Sequence, residues 1–359
     1  MKFIVSCFGL LSALLLSCGF GSAVPANAAD NDALSVMAYN VHGLPWPFAS
    51  GRAEAFTKIT ARLQKMRERQ AQPHVIILQE AFTDAAKQIA KDSGYRYSTE
   101  GPSADLVNTT TPGAADAEFV NAASFFKGET LGKLFDSGLL LASDYPILSV
   151  KRAAFPAFAC AGYDCLANKG ILLVTIAVPG IKTPVTIATT HMNSKKSSGV
   201  CEERSLYAFE RQVEAIDHFL AANRNLNQPI VFAGDFNASN PQRRTYLVGH
   251  GIANWTTKLR LPINSALQHC LLPSIPCGGT PPAIASWVFA KGRDWQFYMP
   301  GIQESIEAVK MFVPFGHEAN GTMLSDHVGY GVVYRLRQAK AQMAIRHVDR
   351  QSSAKQRPI

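Results

Sequence analysis

The sequence has little charge, few cysteines and no long hydrophobic run beyond its first residues. Charged residues make up 17% of the 359 residues, against about a quarter in an average soluble domain. There is no low-complexity tract, and the hydrophobic share of 47% is enough to bury a sizeable core. Wholesale disorder is therefore excluded. After residue 28 no apolar stretch approaches the length of a transmembrane helix.

Several catalytic signatures are also absent. The chain has no G-x-S-x-G elbow, no H-E-x-x-H motif and no Walker A motif, so the usual signals of serine hydrolases, zinc proteases and P-loop proteins are missing. No cysteine and histidine spacing resembles a zinc ribbon. The formal net charge of +8 favours anionic partners such as nucleic acid, phospholipid surfaces or phosphorylated substrates.

The N-terminus has the pattern of a secretory signal. Lys2 is the only charge before residue 29, an apolar run covers 3–16, and Ala26-Asn27-Ala28 matches an A-x-A cleavage site. We predict that residues 1–28 are a signal peptide, that the protein is secreted or periplasmic, and that the mature charge is +7. Residues 15–18, which end in a cysteine, leave a lipoprotein anchor as the alternative.

Five cysteines follow the predicted leader, and disulfides are plausible in an exported protein. The simplest pairing joins Cys160 to Cys165 and Cys270 to Cys277. A crosslink from Cys201 to one member of the first pair is equally allowed by the sequence.

Short apolar strands alternate with amphipathic helices along the mature chain. One helix carries Phe56, Ile59, Leu63 and Met66 on one face, and a second covers about 202–222. The predicted strands are 34–39, 75–78, 138–142, 171–178, 185–190, 229–233, 286–289, 295–298, 306–312 and 328–334. We therefore predict one α/β domain over 29–337, with sheets packed together and helices outside. Residues 338–359 are predicted to be a basic, polar, disordered tail.

The most informative pattern is the set of polar residues that close or precede these strands. Taken singly, each such residue is more typical of a turn or a cap. Strand ends meet at one edge of a sheet, however, so several together predict a shared pocket. The set comprises Asn40, Glu80, His191, Asp235, Asn237, Asp326 and His327.

These residue types suit phosphoester hydrolysis. Glu80 and Asn40 offer the hard oxygen ligands that Mg²⁺ and Ca²⁺ prefer. The imidazoles of His191 and His327 can move a proton or stabilise an oxyanion. Asp235 and its neighbour two residues on can orient a nucleophilic water.

The ordered motifs resemble those of the endonuclease/exonuclease/phosphatase superfamily, which has the deoxyribonuclease-I-like fold. They are Tyr39-Asn40, Leu78-Gln79-Glu80, Thr190-His191, Gly234-Asp235-Phe236-Asn237 and Ser325-Asp326-His327. The resemblance spans 34–335. It implies a four-layer α/β sandwich of two mostly antiparallel sheets flanked by helices, and a divalent-metal phosphodiesterase or phosphomonoesterase.

The resemblance also implies a metal site. Asn40 and Glu80 would hold the ion, and Asp326 would either bind it or orient His327. Mg²⁺ is the expected cofactor, with Mn²⁺, Co²⁺ and Ca²⁺ as alternatives.

The catalytic roles follow in the same way. His327 would be the general base, and His191 would stabilise the transition state. Asp235 and Asn237 would position the attacking water and a phosphate oxygen. Asp294 resembles the family's aspartate on the penultimate strand.

One segment indicates the substrate. Residues 160–170, which end in Lys169-Gly170, are similar to a segment of neutral sphingomyelinases, as are Asn40–Pro45 with Arg52. This similarity implies hydrolysis of sphingomyelin-like lipids to ceramide and phosphocholine, with Lys169 near the phosphate. The alternative interpretation of Lys169 is a solvated turn residue.

A lipid substrate requires contact with a phospholipid membrane. Trp46, Phe48 and the Phe125-Phe126 pair beside Lys127 are candidate anchors, and the alternative is that they pack into the core. The runner-up function is a secreted Mg²⁺-dependent endonuclease acting on nucleic acid, which the positive charge supports. Another phosphatase activity and a catalytically silent binding module are further alternatives.

Overall fold

The structure, a computed structural model, describes residues 33–45, 49–259, 262–271 and 282–338. The predicted leader, Trp46 and Phe48, and the predicted tail beyond Gln338 lie outside these residues. No described helix is both long and apolar enough to cross a bilayer.

The described strands form two sheets of six strands each. In chain order the strands are β1 (Ala33–Asn40), β2 (Val75–Gln79), β3 (Tyr97–Glu100), β4 (Leu140–Ser143), β5 (Ile147–Ala154), β6 (Gly170–Ile176), β7 (Val185–His191), β8 (Ile230–Asp235), β9 (Asn264–Ser265), β10 (Asp294–Met299), β11 (Glu304–Phe315) and β12 (Gly329–Gln338). The first sheet has the order β11-β12-β1-β2-β4-β3 and the second β5-β6-β7-β8-β10-β9. Each sheet is antiparallel except for one central parallel pair, β1–β2 in the first and β7–β8 in the second.

Helices connect and cover the strands. The described helices are α1 (Arg52–Glu68), α2 (Asp84–Asp92), α3 (Ala114–Asn121), α4 (Lys195–Ser198), α5 (Glu202–Asn223), α6 (Pro241–Tyr246), α7 (Ala253–Leu259), α8 (Ala266–Leu271) and α9 (Pro282–Lys291). Short 3₁₀ turns lie at Phe125–Lys127 and Gly162–Leu166, and a π-helical turn at Leu247–Ile252 joins α6 to α7.

The core lies in three layers. The inner faces of the two sheets pack against each other, as Val36 of β1 and Val231 of β8 illustrate. Outside the first sheet, Ile59 of α1 joins a second cluster. Outside the second sheet, Phe209 and Val213 of α5 join a third. This arrangement confirms the predicted four-layer sandwich of two mostly antiparallel sheets.

The predicted strand 286–289 is wrong, because this segment belongs to α9. Ala285 and Val288 are buried whereas Ser286 and Trp287 are exposed, which is the spacing of a helix and not the alternation of a strand. Pro282 at the first helical position suits a helix start. A short apolar run does not by itself separate the two structures.

The cysteines resolve one of the open pairings. Cys160 and Cys165 form a disulfide around the turn Gly162–Leu166, as predicted. Cys201 is free and exposed, so the alternative crosslink from Cys201 is wrong. Cys277 lies outside the described residues.

Candidate active site

The strand register brings the polar strand ends together. Asn40 pairs with Gln79 at the end of the parallel pair β1–β2, so Glu80 leaves the first sheet beside Asn40. In the second sheet His191 pairs with Asp235 in the parallel pair β7–β8. Asp235 also pairs with Asp294, the first residue of β10. These ends come from two sheets and not from one edge of a single sheet.

An amide joins carboxylates from the two sheets. Asn40 Nδ2 donates to Glu80 Oε1 at 2.9 Å and to Asp235 Oδ2 at 3.1 Å. Asn40 Oδ1 accepts the backbone N–H of His42, which fixes the direction of the amide. Ser325 Oγ donates to the Asn40 carbonyl at 2.6 Å, so the S-D-H motif is attached to the end of β1.

Two imidazoles face the carboxylate of Asp235. His191 Nε2 and His327 Nε2 each lie 3.6 Å from Asp235 Oδ2. His191 Nε2 is also 3.9 Å from Glu80 Oε1. Burial, with the nearby Lys169 ammonium, lowers the pKa of His191 to about 3, so this ring is neutral at ordinary pH.

The pKa of His327 is shifted in the opposite direction from that of His191. His327 Nδ1 lies 2.8 Å from Asp294 Oδ2. Burial alone would lower the pKa of His327, but the carboxylates of Asp294 and Asp235 outweigh burial and raise the pKa to about 10. Since Nδ1 is held by Asp294, the ring presents Nε2 to the site.

Backbone strain is concentrated here. Glu80 and Asn237 have φ values of 55° and 48°, in the left-handed region that residues other than glycine rarely adopt. Such strain is typical of functional sites. Asn237 is further fixed because its N–H donates to Asp235 Oδ1 and its Nδ2 donates to the Met192 carbonyl, each at 3.0 Å.

Lys169 is buried beside the histidines and is not a solvated turn residue. Its Nζ lies 3.4 Å from His191 Nε2 and donates to the Met192 carbonyl at 3.0 Å. Asp164, a residue that sequence reasoning missed, forms a 3.1 Å ion pair with Lys169 and accepts the backbone N–H of Ser194. The one signal in the sequence was its position inside the Cys160–Cys165 loop.

Asp326 lies at the mouth of the site and not among the buried groups. Its side chain is 58% exposed and is 3.5 Å from His42 Nδ1 and 3.6 Å from Arg293 Nη1. The carboxylate that contacts the His327 ring is Asp294. Arg293, which the sequence did not single out, has Nη1 3.4 Å from His327 Nε2.

The donor set fits a hard divalent cation. Ligand atoms of Asp235, Asp294 and His327 lie within 4.8 Å of one another. Burial raises the pKa of Glu80, because it disfavours the charged form of this carboxylate. A cation among these oxygens would stabilise that charged form. Asp326 is not part of this group.

The site lies between two further cavities that share lining residues with it, and the three adjoining cavities together are termed the groove. The central cavity contains both histidines, Glu80 and Asp235. One neighbouring cavity, the aromatic end, shares Glu80 and His191 with it and is otherwise lined mainly by Leu44, Phe82, Phe135, Tyr163 and Leu166. The other, the α9 end, shares His327 and Arg293 and includes Trp287, Val288 and Lys291.

Comparison with known proteins identifies the family and the fold. Residues 37–327 match the model of the Endonuclease/Exonuclease/phosphatase family. Sphingomyelinase C from Streptomyces griseocarneus has a similar fold, with a TM-score of 0.51, 21% identity, and coverage of 86% of this chain and 99% of that one. No curated protein sequence matches.

Two further solved structures share the fold. Beta toxin from Staphylococcus aureus with bound magnesium ions gives a TM-score of 0.52 at 17% identity, over 84% of this chain and 99% of that one. TDP2 from D. rerio, complexed with a single-strand DNA product, gives 0.51 at 15% identity, over 84% and 99%. The family groups phosphoester hydrolases, and the predicted resemblance is confirmed. The chain belongs to the endonuclease/exonuclease/phosphatase family.

Proposed function

We propose that the protein is an exported, Mg²⁺-dependent phosphodiesterase that hydrolyses sphingomyelin-like phospholipids to ceramide and phosphocholine. The observation that carries the proposal is the aromatic end of the groove, which opens directly beside Glu80 and His191. This cavity has a volume of about 100 Å³ and joins an aromatic lining to a buried cation.

A phosphocholine group matches both halves of that lining. Phe82 and Phe135 lie with ring centroids 5.9 Å apart and planes inclined by 56°, and Tyr163 lies in the same cavity. Aromatic faces attract quaternary ammonium groups. The Lys169 ammonium, at the inner side of the cavity, would attract the phosphate. A nucleic-acid substrate carries no quaternary ammonium group for this end to bind.

The chain's own residues supply the proton transfers. In its neutral form, His327 takes the proton of the attacking water on Nε2, while Asp294 holds Nδ1 and stabilises the imidazolium that forms. Asn237 orients the water or a phosphate oxygen. The neutral His191 offers one N–H to the charge that develops on the phosphate.

A divalent cation would complete the site. The carboxylate oxygens of Glu80 and Asp235 would hold it, which leaves His327 free to act as a base. Asn40 would add its oxygen only after its amide turns, because its Nδ2 faces both carboxylates in this structure. When bound, the ion would neutralise charge on the phosphate and on the leaving oxygen. Mg²⁺ suits such carboxylate and amide oxygens, and magnesium ions are bound in the Staphylococcus aureus beta toxin structure.

A membrane-contact surface adjoins the aromatic end. Phe125 and Phe126 are 61% and 86% exposed, so the alternative of core packing is wrong for them. Tyr163 of the cavity donates its hydroxyl to the Phe126 carbonyl at 3.1 Å. Lys127 Nζ lies 5.7 Å from the Tyr163 ring centroid. Exposed aromatics beside a lysine favour the headgroup region of a bilayer.

A substrate panel tests the proposal. The purified protein and His327→Ala would be incubated with Mg²⁺ and sphingomyelin vesicles, phosphatidylcholine vesicles or supercoiled plasmid. We expect phosphocholine from sphingomyelin with the wild type alone. Plasmid nicking without phosphocholine would assign the same site to a nuclease and overturn the proposal. Absence of both products would also overturn it.

A further inference from the structure

Helix α9 carries large apolar residues on both of its faces. Ala285 and Val288 pack inward, whereas Ile284 and Trp287 point outward and are 39% and 38% exposed. The helix contains one charged residue, Lys291, at its end. A surface helix of a globular protein normally carries charged residues on its outer side. An outer face of this composition indicates a surface that meets another apolar phase.

This face adjoins the catalytic groove. Trp287 and Lys291 lie in the same cavity as His327 and Arg293. Lys291 Nζ lies 5.1 Å from the Trp287 ring centroid, which places a cation against the aromatic ring. The outer face of α9 therefore ends at the mouth of the site.

Both ends of the groove have the same surface chemistry. At the aromatic end, Phe126 is exposed and is followed by Lys127. At the α9 end, Trp287 is exposed beside Lys291. A bilayer in contact with both ends would bring its headgroups to the catalytic centre between them. Aromatic rings and lysines together suit the interface of a membrane that contains anionic lipid.

We infer that the outer face of α9, formed by Ile284, Trp287 and Lys291, is a second membrane-contact surface that binds a phospholipid bilayer containing anionic lipid. The inference rests on the proposed function, because it gives the lipid surface a contact on each side of the catalytic centre. The α9 surface lies on a different secondary-structure element from the surface around Phe126, and at the opposite end of the groove.

Vesicle flotation tests the inference separately from turnover. Vesicles of phosphatidylcholine, sphingomyelin and phosphatidylserine would be mixed with the protein in EDTA. Ile284→Glu removes an aliphatic side chain from the α9 face and adds a negative charge. We expect it to lower the ratio of bound to free protein by about tenfold. Leu148→Glu makes the same change at an exposed residue at the start of β5 and is expected to retain binding near the wild-type level.

Further readouts distinguish membrane docking from a damaged fold and from self-association. Ile284→Glu is expected to hydrolyse a water-soluble phosphocholine ester at the wild-type rate, and loss of that activity would overturn the inference. Equal flotation of the two variants would overturn it. A wild-type dimer that Ile284→Glu dissociates would assign the face to a second copy and overturn it as well. In a further outcome, the wild type and Leu148→Glu float with the vesicles, Ile284→Glu does not, and the wild type fails to hydrolyse sphingomyelin. That outcome would support docking and contradict the proposed substrate.

Discussion

His327 Nδ1 lies 2.8 Å from Oδ2 of Asp294 and 3.0 Å from Oδ1, so one buried carboxylate holds the imidazole by a single ring nitrogen. The contact joins the start of β10 to the segment before β12. It leaves Nε2 directed at Asp235, 3.6 Å away. The protonation and direction of the base therefore depend on a residue outside the S-D-H motif.

Asp294→Asn is expected to change the pH dependence of catalysis. The Asp294 carboxylate raises the pKa of His327, and a histidine base is active in its neutral form, so activity falls as the pH drops below that pKa. Removing the carboxylate lowers the pKa and moves the acid limb of the kcat profile to lower pH. The maximal rate should fall by about a hundredfold or more. Asp326→Asn, at an exposed carboxylate, is the control and should move the limb less. An unmoved limb in Asp294→Asn would contradict this assignment.

The metal requirement is expected to depend on Glu80 more than on Asp326. Chelation should abolish turnover, and Mg²⁺ should restore it. Glu80→Gln removes a half-buried carboxylate and should raise the Mg²⁺ concentration for half-maximal activity by about tenfold or more. Asp326→Asn should have a smaller effect, because that side chain is exposed and paired with Arg293. If the two substitutions raised the required Mg²⁺ concentration equally, the ion would have to be assigned to the mouth of the site, near Asp326.

Asp164→Asn is expected to lower both stability and turnover. The variant leaves the Lys169 ammonium buried without its ion-pair partner, which costs about 3 kcal/mol or more in unfolding free energy. The displaced ammonium should also reduce kcat. Urea unfolding and steady-state kinetics measure the two effects. The matched control is Asp105→Asn, at an exposed carboxylate; an Asp164→Asn variant that behaves like this control would refute a positioning role.

Phe82→Ala is expected to weaken recognition of the choline group. Loss of one aromatic wall should raise KM for sphingomyelin by about tenfold and reduce the preference for choline over an ethanolamine headgroup. Phe125→Ala is the control, because this phenylalanine lies outside the cavity. It should lower vesicle binding and keep the headgroup preference. An unchanged preference in Phe82→Ala would argue against an ammonium-binding end.

Glu129 is expected to make stability depend on pH. Its buried carboxylate accepts Arg204 Nε at 2.6 Å and the backbone N–H of Gly162 at 2.8 Å. Burial opposes ionisation, but these donors outweigh it and lower the pKa of Glu129. The stabilisation is therefore complete above the usual carboxyl pKa and is lost as the pH falls through the lowered value.

Glu129→Gln should thus cost about 2 kcal/mol of unfolding free energy at pH 7. The difference from the wild type should shrink below about pH 4. Urea unfolding at several pH values measures it, with Glu118→Gln at an exposed position of α3 as the control. A difference that stays constant down to acid pH would contradict the ionised contact.

The sequence predicts the central strands well because they are buried runs that end in polar residues. β1 and β8, which lead to Asn40 and Asp235, are of this kind. It missed the edge strands β3 and β5, because their exposed side chains lack a continuous apolar pattern. The helix α9 was misassigned because one apolar turn is equally compatible with a strand.

The site residues divide in the same way. Residues at strand ends were found from their position, whereas Asp164 and Arg293 were not. Asp164 matters through its contact with Lys169, and Arg293 through its contact with His327. Both contacts are made by segments that only the folded chain brings together. Asp326 shows the converse, because its place in a motif did not predict its exposed position.

The measurement that tests the central claim most directly is hydrolysis of sphingomyelin in ¹⁸O-labelled water with Mg²⁺, followed by ³¹P NMR. If His327 activates a water that attacks phosphorus, the wild type releases phosphocholine that carries one ¹⁸O atom. The variant His327→Ala then releases no phosphocholine. Unlabelled phosphocholine would place the cleavage at carbon and contradict attack on phosphorus. Absence of phosphocholine would contradict the proposed substrate.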